Sequence, residues 1–158
     1  MKTIYLVRHG KAEGRNIEMD DYDRPLAERG VNDSKTVSSR LAEYGIRPPV
    51  IVSSPAPRAI DTAKIFAKQF RYPVKKIRTR ISLYEQGETA IAEIMSGLDN
   101  VYDSVMVVGH NPLIEECARF LTGILKDAVP TCGVVGVECD ADRWKDIQSG
   151  NGRVVFFE

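Results

Sequence analysis

The chain has 158 residues, 43% hydrophobic and 28% charged, a composition ordinary for a single globular domain over 1–158 with one well-filled core. Its 22 basic and 22 acidic side chains cancel, so no net field selects nucleic acid or a membrane surface, and any cationic site must be local. No apolar run approaches the roughly 20 residues of a membrane span or forms a signal-peptide core. Three cysteines, odd in number and without CxxC spacing, fit reduced thiols in a cytoplasm.

The first predicted strand is Thr3 to Val7, followed by a polar loop from Lys11 to Asp23. A helix is expected from Leu26 to Tyr44, ended by Gly45, with Gly30 weakening its first turns. Val50 to Val52 reads as the second strand. Ser54 then reads as an N-cap and Pro55 as the first helical residue, with Ile60, Ala63, Ala67 and Phe70 as the buried stripe. Val74 to Ile77 is expected to be a short third strand. Ile91, Ile94, Met95 and Leu98 mark a helix. Val105 to Val108 is the fourth strand, after which Asn111 resembles an N-cap and Pro112 a first helical residue, with Ile114, Cys117, Ala118 and Leu121 facing inward. The remainder reads as β-rich: Val134 to Cys139, a segment around Trp144, and Val154 to Phe157. Strands alternating with helices and closing on extended runs predict a three-layer α/β/α sandwich. Its central sheet is mostly parallel, with antiparallel C-terminal strands.

The chain's only two histidines each close an apolar run, at Arg8-His9-Gly10 and Gly109-His110-Asn111. Ligands bind open α/β sheets at the carboxyl ends of their strands, so the two exits imply one site. Neutral imidazole is a nucleophile near pH 7, and Arg8 and Arg58 offer planar forks matched to phosphate oxygens. Helix starts at Ser54 and Asn111 would aim N–H groups at the same anion, and Gly10 and Gly109 would let the backbone approach closely. Together these describe a phosphoryl-transfer site that needs neither cofactor nor metal. A two-histidine metal centre is disfavoured, because neither HxH nor HxxxH spacing occurs.

Four segments resemble the histidine phosphatase superfamily, the phosphoglycerate mutase-like fold. They are Leu6-Val7-Arg8-His9-Gly10-Lys11-Ala12, Asp23-Arg24-Pro25-Leu26-Ala27-Glu28-Arg29-Gly30, Ser53-Ser54-Pro55-Ala56-Pro57-Arg58-Ala59 and Val108-Gly109-His110-Asn111-Pro112. The segment between Arg58 and His110 has room for two helices and a short strand but no helical lid. In this the chain resembles the compact SixA-type phosphohistidine phosphatases. The resemblance implies that His9 is the phosphorylated nucleophile, that Arg8 and Arg58 bind the phosphoryl group, and that His110 completes the pocket. Gly10, Asn111 and Arg15 are further phosphate-binding candidates. Glu85 is the candidate general acid, with Glu88 as its alternative, though neither aligns with the superfamily's acid motif. Ala27 stands where threonine is usual, at the expense of a helix cap of about 1 kcal/mol.

The expected substrate is a phosphohistidine on a signalling or phosphocarrier protein, such as a histidine phosphotransfer domain. Two readings compete with it. A broad phosphomonoesterase of sugar phosphates or nucleotides would use every one of these residues. A pseudoenzyme binding phosphorylated partners would have no need of the nucleophile.

Overall fold

The computed structural model describes residues 1–14, 18–85, 89–125 and 127–158. Six strands form one sheet: β1 (Lys2–Arg8), β2 (Ile51–Ser53), β3 (Arg78–Thr79), β4 (Ser104–Gly109), β5 (Val134–Cys139) and β6 (Gly152–Phe157). Their order is β3-β2-β4-β1-β5-β6. β3, β2, β4 and β1 run parallel, whereas β5 and β6 are antiparallel additions. The helices are α1 (Glu28–Glu43), α2 (Pro57–Gln69), α3 (Ser82–Glu85), α4 (Ala90–Ser96) and α5 (Leu113–Thr122).

Alternation along the strands sorts the core into two halves. Ile4, Leu6, Val105, Val107, Val135 and Val137 turn toward Ile91, Met95, Ile114 and Leu121 of α4 and α5. Val7, Ile51, Met106, Val108 and Val134 turn toward Leu41 of α1 and toward Ala63, Phe66 and Ala67 of α2. This is the expected three-layer sandwich. Cys117, Cys132 and Cys139 are free and buried, and burial raises the thiols of Cys117 and Cys132 to about 12 and about 11. They are core residues. Among the described residues no helix is long and apolar enough to cross a membrane.

Several local expectations are corrected. Val74–Lys76 is a turn of 3-10 helix, and the third strand is the two-residue Arg78–Thr79. Trp144–Asp146 is likewise a 3-10 turn. α2 begins at Pro57 after Ala56, and α5 at Leu113 after Pro112, so neither Ser54 nor Asn111 is an N-cap. The stripe of α2 centres on Ala59, Ala63 and Phe66, while Ile60 is only half-buried. α1 starts after Ala27, which makes no side-chain cap bond.

Gly30 has a use the helix pattern does not reveal. It brings the first turn of α1 against the segment leaving β1. A Cβ on Gly30 would fall inside contact distance of the Lys11 carbonyl oxygen, and one on Gly10 would lie 2.9 Å from the Gly30 carbonyl oxygen. Neither neighbour is a flexible side chain that could swing aside. Gly30→Ala is therefore expected to destabilise the fold by about 3 kcal/mol, seen as a lower urea midpoint at unchanged slope. An unshifted midpoint would show that this contact relaxes freely. Gly109 carries no such constraint, since its Cβ would meet Ile114 at an ordinary 3.5 Å.

Candidate active site

Strand register builds the site. β2, β4 and β1 lie side by side with their carboxyl ends together, Arg8 opposite Gly109 and Ser53 opposite Val108. One residue beyond those ends stand His9, His110 and Ser54. The His9 N–H donates to the Gly109 carbonyl at 3.0 Å, and the Ser54 N–H to the Val108 carbonyl at 3.0 Å. The two imidazole rings are 5.0 Å apart, inclined at 58°. Both strand exits thus open on one place.

The His9 Nδ1 lies 2.7 Å from the Gly10 carbonyl oxygen. A carbonyl only accepts, so Nδ1 carries the proton and Nε2 keeps its lone pair. The backbone on either side is pinned, with the Cys132 N–H donating to the His9 carbonyl. The Gly10 N–H donates to Thr62 Oγ1 at 3.0 Å and is thereby committed within the protein. Burial, reinforced by the charges of Arg58, Arg8 and Arg24, lowers His9 from 6.5 to about 4 despite the Gly10 bond. Burial, then His9 and Arg58, lowers His110 to about 3. Both rings are neutral at pH 7.

Arg58 is the second residue of α2 and is only 6% exposed. Its Nη1 donates to the Asp21 carbonyl at 2.7 Å and its Nη2 to Asp21 Oδ2 at 3.0 Å. Asp21 also accepts from Arg24 Nη1 at 3.0 Å and from the Tyr84 hydroxyl at 3.1 Å. Burial opposes its ionisation, but the three hydrogen bonds and the Arg58 charge prevail and hold its carboxyl at about 2. The Tyr84 ring stands edge-on to His110 at 5.4 Å, with the Arg58 guanidinium 5.9 Å from its centre. Asp21, Arg24 and Tyr84 were not among the expected site residues. Arg24 lies inside a segment that resembles the family, but nothing in the spacing of the acidic loop sets Asp21 apart from Asp20 or Asp23.

The other candidates are distributed as follows. Arg8 Nη1 donates to the Val129 carbonyl at 3.1 Å, and its buried Nε has no hydrogen-bond partner among the described residues. Asn111 Nδ2 donates to Glu115 Oε1 and to the Val129 carbonyl, tying the β4 exit to the loop before β5. Glu85 is exposed at the end of α3, one residue past Tyr84. Arg15 and Glu88 lie outside the described residues. Among the described residues no group of three His, Cys, Asp or Glu side chains is placed to hold a metal ion.

Residues 4–85 match the histidine phosphatase superfamily (branch 1). The chain belongs to that superfamily. Its fold is that of the SixA-type members: the SixA structure from Agrobacterium tumefaciens superposes with a TM-score of 0.84 at 26% identity, covering 99% of this chain and 97% of that one. Among sequence relatives, an uncharacterized chloroplastic protein of Arabidopsis thaliana is 26% identical over 92% of this chain and 70% of its own length. A 2,3-bisphosphoglycerate-dependent phosphoglycerate mutase of Clavibacter michiganensis is 39% identical over 70 residues, 43% of this chain and only 28% of the mutase. Membership of the superfamily supports phosphatase activity.

In this superfamily member the lowered imidazoles have a consequence for pH. Both folded-state values lie below the ordinary 6.5, so protonation favours the unfolded chain. The contribution of the neutral rings to stability is complete above about pH 6.5 and is lost as pH falls from there toward about 4 and below. Activity depends on the folded-state values alone. With an aryl phosphate, kcat/KM corrected for substrate ionisation should lose activity near pH 4 and not near 6.5. An acid limb centred at 6.5 would mean that the imidazoles are not held neutral by their surroundings.

Proposed function

We propose that the chain removes phosphoryl groups from histidine side chains of a signalling or phosphocarrier protein, through a covalent phosphohistidine on His9. In the first step His9 Nε2 attacks phosphorus in line. The P–Nε2 bond forms as the bond to the substrate imidazole breaks; that imidazole, protonated on its other nitrogen, keeps the electron pair and leaves neutral, while the His9 ring, with Nδ1–H retained, becomes a phosphoimidazolium. In the second step water attacks the phosphorus as the P–Nε2 bond breaks, the electron pair returns to His9 Nε2, and both water hydrogens leave on the oxygens of the released dihydrogen phosphate. Arg8, Arg58 and His110 face the phosphoryl oxygens as donors, and the charges of Arg8, Arg24 and Arg58 offset the negative charge in the transition state. On this reading no metal is needed, and turnover should survive a chelator.

One observation carries the choice of substrate. The carboxylate that the fold brings to Arg58 is Asp21, and three donors hold it ionised at about 2. It cannot protonate a leaving group at neutral pH, and Glu85, the candidate acid among the described residues, is exposed at the end of α3. An alkoxide needs that proton, a contribution of about a hundredfold to ten-thousandfold; an imidazole leaves a P–N bond with less help.

The test compares one protein phosphohistidine with a panel of aryl and alkyl phosphates. The expected order is phosphohistidine and aryl phosphates fast, alkyl phosphates slow, with Glu85→Gln changing phosphohistidine turnover little. Fast alkyl phosphate hydrolysis that collapses in Glu85→Gln or in Glu88→Gln would assign a working acid and make the protein a small-molecule phosphomonoesterase.

A further inference from the structure

Ser54 is fully buried, and its surroundings fix it closely. Its N–H is bonded to Val108 on the strand that delivers His110, and its carbonyl accepts from the Ser53 hydroxyl at 2.9 Å. Its own Oγ accepts the Ala56 N–H at 3.2 Å and lies 2.9 Å from His110 Nε2. The local Ser-Pro signal of a helix cap thus serves a partner 56 residues away.

We infer that Ser54 is a positioning residue that fixes His110 as the tautomer with its proton on Nδ1, so that the ring meets a phosphoryl oxygen as a donor. The inference rests on the phosphoryl-transfer reading for its functional half only. Its structural half follows from counting hydrogens. The Ala56 N–H occupies one lone pair of Ser54 Oγ, which leaves the hydroxyl one hydrogen and one further lone pair. If Ser54 donates to Nε2, the buried hydroxyl hydrogen is used, and the ring's own hydrogen falls on Nδ1, which is not among the buried polar atoms left without a partner. If instead Nε2–H donated to Ser54, the buried hydroxyl hydrogen would have no acceptor among the described residues, a penalty of about 1–3 kcal/mol. Ser54 therefore donates, Nε2 accepts, and the single proton of the neutral ring sits on Nδ1.

The two rings then present opposite chemistry. His9, with Nδ1–H given to Gly10, offers the bare Nε2. His110, with Nε2 occupied by Ser54, offers Nδ1–H, the edge for which no bond to a described residue is found. The reversed tautomer would turn a lone pair toward an anionic oxygen. Neutrality makes this choice matter, because a doubly protonated ring would donate from either edge; burial and the neighbouring His9 and Arg58 keep His110 neutral at pH 7.

The chain has only two histidines, so long-range proton–nitrogen correlation of histidine-labelled protein shows two imidazoles, assigned with His9→Ala. In the free wild-type protein at pH 7, His110 should show a pyrrole-type Nδ1 and a pyridine-type Nε2. Ser54→Ala should shift this pattern toward a mixture of tautomers and lower kcat about tenfold, while Ser54→Thr, which keeps the hydroxyl, should restore both. A pyrrole-type Nε2 in the wild type would overturn the inference, and so would an unchanged His110 pattern in a folded Ser54→Ala. The wild-type spectrum decides even if Ser54→Ala does not fold. It needs no substrate, so failure of the phosphatase reading alone would leave the tautomer intact and would show as absent turnover.

Discussion

His9→Ala is expected to lower kcat/KM on every phosphorylated substrate by on the order of a thousandfold or more, with the fold intact. Loss of a covalent nucleophile is among the most damaging single changes an active site can suffer, because the remaining donors have nothing to deliver the phosphoryl group to. The reasons are local. His9 Nε2 is the bare nitrogen, and its ring is oriented through Gly10. The substitution also removes a half-buried ring whose protonation favours unfolding, so the variant should be no less resistant to acid than the parent. Circular dichroism and acid unfolding check the fold; steady-state kinetics check the loss. Retained turnover would mean that another group carries the phosphoryl transfer.

Arg58→Ala should cost about a hundredfold or more in kcat/KM, the usual penalty for removing one preorganised transition-state donor. Arg58→Lys should recover only part of it. Lysine keeps the charge but loses the planar fork, and the fork is already ordered here: two of its donors are fixed on Asp21, one to the backbone carbonyl and one to the carboxylate. Asp21 also keeps Arg24 and Tyr84 as donors when Arg58 is removed, so the loop that carries it should stay in place. Parallel kinetics on an aryl phosphate and urea unfolding of each variant separate the two effects. Full activity in Arg58→Lys would show that charge alone is used at this position.

The parts of the site that lie on strand exits are legible in the sequence, and for one reason. An apolar run that breaks at a polar residue and glycine marks the end of a buried strand, and parallel neighbours put those ends together. His9 and His110 follow directly, and Arg58 follows from its distance beyond the second strand. What stays hidden is set by partners distant in sequence. Ser54 before Pro55 reads as a helix cap because only neighbours are visible to a local signal, whereas its hydroxyl bonds His110 and the helix waits until Pro57. Asn111 before Pro112 misleads in the same way, its amide being drawn to Glu115 and Val129. Asp21 sits in an acidic stretch without periodicity, and only the folded loop lays it on Arg58. Tyr84 and Glu85 are neighbours on one short helix, and which of them faces His110 depends on a phase that four residues cannot specify. The third strand slips from the expected Val74 to Ile77 to Arg78–Thr79 because two edge residues carry little pattern of their own.

The central claim is the covalent phosphohistidine on His9, and trapping that adduct tests it most directly. The protein is mixed with substrate labelled in the phosphoryl group, quenched within milliseconds in alkali, digested and mapped. The label should be stable to alkali, labile to acid, and confined to the peptide containing Arg8-His9-Gly10, and it should be absent from His9→Ala. Label on a serine or a carboxylate, label on His110, or full turnover with no adduct at any time would contradict the account.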